Sequence, residues 1–150
     1  MWLLVMAFSA GAGMAMQAAI NSQLGKALVG QPLYAAFWSF ASGAVILLVL
    51  SLWLAKGTWW QVMSLIPAQP WWYLVGGALG TGLVFSSIFL APKLGVANML
   101  FFMIIGQMVF GVVIDHLGLF NMPVREINWN KIIGLIVMVS GLSIFFLAKK

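Results

Sequence analysis

Gln17 and Asn21 stand four positions apart in an otherwise apolar stretch, "GAGMAMQAAINSQLG" (Gly11–Gly25). At helical spacing Ala10, Gly13, Gln17 and Asn21 form one stripe, small residues first and amides after. An amide donates and accepts hydrogen bonds without carrying charge. The chemistry open to this stripe is therefore recognition, of a polar solute or of another helix, rather than proton transfer. Two more amides, Asn98 and Gln107, lie nine residues apart. At ~100° per residue they point to nearly opposite faces and so serve different ends. Gln107 shares its stripe with Met103, Gly106 and Phe110, whereas Asn98 is placed to cap the start of its helix. Trp38, beside Ser39, either packs against lipid or lines a cavity for a flat or cationic organic molecule.

The ionisable groups are sparse. Asp115 and His116 are adjacent, Glu126 follows in the same connector, and there is no cysteine. A carboxylate near a helix C-terminus is disfavoured by the dipole, so Asp115 needs a partner, and Arg125 or Lys131 is at hand. The pair is read as a loop tie at the membrane interface or, alternatively, as a proton or ion-pair site. Zinc needs at least three protein ligands, so no metal site is expected, and no cofactor is implied. No nucleophile–base pair can be placed. An enzyme acting on lipid through Asp115 and His116 is the weakest reading.

Stepping from these residues to their setting, the 150-residue chain is 64% hydrophobic and only 6% charged. Soluble domains are about 25% charged. The class is an all-α integral membrane protein whose first partner is lipid. The net charge of +5 does not indicate nucleic acid, because the seven basic residues are scattered singly and suit anionic headgroups instead. The first apolar run lacks a basic leader ahead of it and is expected to stay as a span rather than be cleaved.

A helix needs about 20 apolar residues to cross the hydrocarbon. Five stretches qualify, at about 2–20, 33–54, 72–90, 96–114 and 132–148, which together make a single five-helix transmembrane domain. Trp59, Trp60, Trp71 and Trp72 mark an interfacial belt around the second connector. Gly76 and Gly80 have the small-xxx-small spacing of a helix-packing face, with Gly13 in the same role on the first span. No ionisable residue lies mid-span, so the relay that a proton-coupled pump keeps there is missing.

Five spans place Lys56, Arg125 and Lys131 on one side and Lys26, Lys93, Lys149 and Lys150 on the other. The Lys/Arg bias that sets orientation is then a single residue, which leaves both one fixed orientation and dual insertion open.

Leu24-Gly25 after the paired amides, "GQPLYAAFWSFASGAVILL" (Gly30–Leu48) and above all "GQMVFGVVIDHLGLFNMP" (Gly106–Pro123) resemble the YdcZ-like family of the drug/metabolite transporter superfamily. The resemblance implies an exporter in the bacterial inner membrane. It also implies that five helices correspond to one half of a ten-helix transporter, so that a second copy in inverted orientation, or a paralogue, completes the unit. Inverted repeats place a substrate site near the midplane between halves. The cavity residues expected on this basis are Gln17, Asn21, Trp38, Asn98 and Gln107. The related small multidrug transporters carry a glutamate in their first helix. Here the nearest counterpart is Gln17, a departure that speaks against proton-coupled antiport. The leading expectation is transport of small organic molecules by an antiparallel dual-topology homodimer through alternating access. The rival is a non-transporting accessory or regulatory membrane subunit.

Overall fold

The computed structural model describes residues 1–54 and 57–147. Ala55, Lys56, Ala148, Lys149 and Lys150 lie outside the described residues, and with them three of the counted bases and the last residue of the fifth expected span. Six α-helices are present among the described residues: α1 (Trp2–Ala27), α2 (Pro32–Leu54), α3 (Trp59–Leu65), α4 (Val75–Leu94), α5 (Val96–Leu117) and α6 (Trp129–Leu147). Five segments are long and apolar enough to cross a membrane: α1, α2, α4 with the turn before it (Trp71–Leu94), α5 and α6. The chain is an all-α membrane protein. Large apolar side chains project from all sides of these helices, as lipid requires and water would not permit.

The spans are longer than expected at several ends. α1 runs past Ile20 to Ala27, so Asn21 lies within a helix rather than at the head of a connector. The segment Asn21–Ala27 contains no proline, and its one glycine costs a helix only about 1 kcal/mol, which packing offsets. α5 likewise continues to Leu117 and takes Asp115 and His116 into its last turns. The stretch expected as a connector between the second and third spans is itself partly helical. "WWQVMSL" forms α3, and the chain tightens into a 3₁₀ turn at Ile66–Ala68, which contains Pro67.

The fold divides into two compact units, Met1–Val96 and Ala97–Lys150. In the first, α1, α2 and α4 pack on one another. Ala35, Ala36, Val84 and Ile88 form the buried centre, with Leu24 and Leu28 against it. Small residues set this packing because lipid offers apolar side chains no reason to leave it, so close backbone approach must supply the attraction. Gly25 is the tightest point. A Cβ there would lie 3.1 Å from Ile88 Cγ2 and 3.7 Å from Ala35 Cβ. The buried stripe of α1 is Ala18, Asn21, Ser22 and Gly25, whereas residues 1–12 are exposed throughout.

In the second unit α5 and α6 meet through aromatic rings. Phe101 lies 4.7 Å from Phe145 between centroids, and Phe102 lies 5.8 Å from Phe146 in an edge-on arrangement. The connector folds back at Gly118, whose φ of +61° is left-handed. A Cβ at this position would come within 2.8 Å of Val124 Cγ2, so both the turn and the space demand glycine.

Candidate functional site

The amide stripe of α1 separates into two environments. Asn21 is 6% exposed and donates from Nδ2 to Ser39 Oγ at 2.9 Å, tying α1 to α2. Gln17, one turn earlier, is exposed, and no group among the described residues hydrogen-bonds its side chain. The helix explains the difference. Positions 18, 21, 22 and 25 turn toward α2 and α4, and position 17 falls at the edge of that contact. Gln17 is near the middle of α1, ~15 Å of helix from Ala27. An amide at that depth is costly to leave in hydrocarbon.

Trp38 is 59% exposed and meets Phe37 edge-on at 5.6 Å between centroids. It lines an open groove of about 620 Å³ together with Leu33, Tyr34, Phe37, Phe40 and Thr81. The lining is almost wholly apolar and aromatic. Thr81 adds little polarity, because its hydroxyl donates back to the Gly77 carbonyl at 3.0 Å. Such a groove suits a flat, weakly hydrated molecule through ring stacking and cation–π contact. The Asn21–Ser39 bond stands next to it in sequence, since Ser39 lies between Trp38 and Phe40.

Of the glycines expected to pack helices, Gly80 sits 3.7 Å from the Phe40 ring by its would-be Cβ, an ordinary contact. Gly13 and Gly76 have nothing within 4 Å. Gly25, which makes the closest helix contact, was not singled out for packing. Its signal was present in the spacing of Ala18, Ser22 and Gly25, the small-residue pattern that permits close approach.

In the second unit Gln107 is exposed at the middle of α5, and no group among the described residues hydrogen-bonds its side chain. Asn98 is half-buried in the first turn of the same helix. Asp115 is half-buried and His116 exposed. Among the described residues no ion pair joins the Asp115 carboxylate to Arg125 or Lys131, and the connector is tied through the backbone instead. Arg125 N–H donates to the Asp115 carbonyl at 2.8 Å, closing the turn that holds Gly118. Lys131 Nζ donates to the Glu126 carbonyl at 3.1 Å. Asn128, not anticipated, caps α6: its Oδ1 accepts from Lys131 N–H at 2.9 Å. Among the described residues no group of three or more His, Cys, Asp or Glu side chains is placed to hold a metal.

The family profile described as "Putative inner membrane exporter, YdcZ" matches residues 2–144. The inner membrane protein YdcZ of Escherichia coli (strain K12) is 29% identical over 97 residues, which cover 65% of this chain. The matched stretch spans 64% of that relative's own length, just under two thirds. No solved structure matches the chain.

Proposed function

Because the chain belongs to the YdcZ family of inner membrane exporters, we propose that it carries small organic molecules across that membrane as an antiparallel pair of identical chains, working by alternating access. It is a multi-pass inner membrane protein of an exporter family, not of an enzyme family. The observation that carries the finer reading is the state of Gln17. A mid-helix amide left open on the surface of the chain calls for a second chain or a wet cavity beside it. Gln107 repeats the pattern at the middle of α5. The near-equal distribution of bases between the two sides supports insertion in both orientations. On this reading Gln17 lines the pathway near the midplane, and the aromatic groove around Trp38 takes the flat apolar part of the solute. Gly13 and Gly76, open within the chain, lie against the second copy. With no ionisable group mid-span, passage is uncoupled or driven by charge on the solute itself.

The test is flux of a fluorescent flat organic cation into vesicles reconstituted with the full chain. Gln17→Ala is expected to leave secondary structure and melting unchanged and to reduce flux at least tenfold. Equal flux in the variant overturns the assignment of Gln17. Reporter fusions at the C-terminus are expected to give signals from both sides of the membrane. A signal from one side alone overturns dual insertion and favours an accessory subunit of fixed orientation.

A further inference from the structure

At the end of the first unit where α1 stops and α4 turns, a separate cavity of about 200 Å³ is lined by Ser22, Gly25, Lys26, Gly30, Phe89 and Lys93, among others. Four observations set it apart from the aromatic groove. Two lysines, Lys26 and Lys93, line it, and residues 1–96 contain no aspartate or glutamate at all. Among the described residues neither lysine has a carboxylate in ion-pair range. Lys93 is held in place instead by a ring: its Nζ stands 3.4 Å from the centroid of Phe89, one helical turn earlier. Ser22, only 7% exposed, lines the same cavity, and its hydroxyl has no hydrogen-bond partner among the described residues. Lysines in the last turn of a helix are favoured by its dipole, which accounts for the residue type at both positions. It does not account for a cavity lined by two lysines and a serine whose hydroxyl is open to it.

We propose that this cavity is a binding site for a phosphate-bearing anion, with Lys26 and Lys93 as the charge partners and Ser22 as the hydrogen-bond donor. Gly30, whose would-be Cβ meets nothing within 4 Å, leaves room for it. The end of a lipid-crossing helix bundle lies at headgroup depth, where phosphodiester groups are abundant. An anionic phospholipid headgroup and a free phosphate offer the same chemistry. Its test reads binding rather than flux, so it can fail without the proposed transport failing.

The experiment is native mass spectrometry of the detergent-purified full chain with added phosphatidylglycerol, diacylglycerol or inorganic phosphate. One phosphatidylglycerol is expected to be retained with an affinity that falls about thirtyfold in Lys26→Gln with Lys93→Gln, at roughly a factor of five for each basic side chain. Lys26→Arg with Lys93→Arg retains most of the binding, which separates loss of charge from loss of fold. Ser22→Ala weakens it further without changing the charge. An adduct with phosphatidylglycerol alone identifies lipid as the source, and one with inorganic phosphate as well identifies a free-phosphate site. Equal retention of diacylglycerol, which lacks the phosphate, overturns the proposal. So does unchanged affinity in the double glutamine variant, or no adduct of either phosphate-bearing probe with the unaltered chain.

Discussion

Asn21 donates its amide hydrogen to the Ser39 hydroxyl across the α1–α2 contact at 2.9 Å. This polar bond sits beside the alanine and glycine packing that brings α1, α2 and α4 together, and it fixes the rotation of α1 about its own axis. With Asn21 turned inward, Gln17 is left facing out. The face that α1 turns inward, Ala18, Asn21, Ser22 and Gly25, leaves the mid-helix amide at the edge of the contact, and the Asn21–Ser39 bond adds to the packing that holds it there.

A double-mutant cycle on Asn21→Ala and Ser39→Ala is expected to give a coupling energy of about 0.6 kcal/mol, and no more than ~1.7, as for other hydrogen bonds between membrane helices. Reversible unfolding in mixed micelles measures it. Additive effects would mean that the bond does not hold the two helices.

Gly25→Val is expected to destabilise the chain by about 1–3 kcal/mol, because the added carbons meet Ile88 and Ala35 across a contact with no slack. Gly76→Ala meets nothing within the chain and should leave its stability unchanged or raise it by up to ~1 kcal/mol through helix propensity. If a second copy packs on that face, the same variant lowers the dimer fraction, which energy transfer between labelled chains in vesicles reads directly.

Gly118→Ala combines a left-handed φ with a clash at Val124 and should cost about 2 kcal/mol or more. Adding Val124→Ala removes the clash but not the backbone strain, so the pair should recover part of the loss and not all of it. Thermal unfolding of the three variants checks the order.

Val29, in the turn after α1, has a φ of +58° that a β-branched residue adopts only under strain. Its side chain is exposed, so little packing compensates. Val29→Gly is expected to stabilise the chain by roughly 1 kcal/mol. A destabilised variant would show that Val29 makes a contact in the membrane that outweighs the strain.

The five spans were legible because lipid imposes one rule on the whole surface: runs such as "AVILLVLSLWL" can only be buried in hydrocarbon. Helix ends were less so. Asn21–Ala27 looks polar enough for a loop, yet its groups face other helices in this fold, and only the packing partner reveals that. The stripe from Ala10 to Asn21 was a correct helical projection and an incomplete account of contact. One face cannot be ranked above its neighbour until the position of α2 and α4 is known. The cavity between the ends of α1 and α4 was not visible at all, since Lys26 and Lys93 are 67 residues apart in the chain.

The exposed first half of α1 turns that helix into a lever. It is gripped at Ala18, Asn21, Ser22 and Gly25, and from Asn21 back to Trp2 there is ~28 Å of rod, of which residues 2–12 are exposed. A tilt of about 10° at the grip would sweep the free tip sideways by ~5 Å, roughly the width of a side chain. A rod that pivots on a small-residue fulcrum would need no unwinding to change the space beside Gln17.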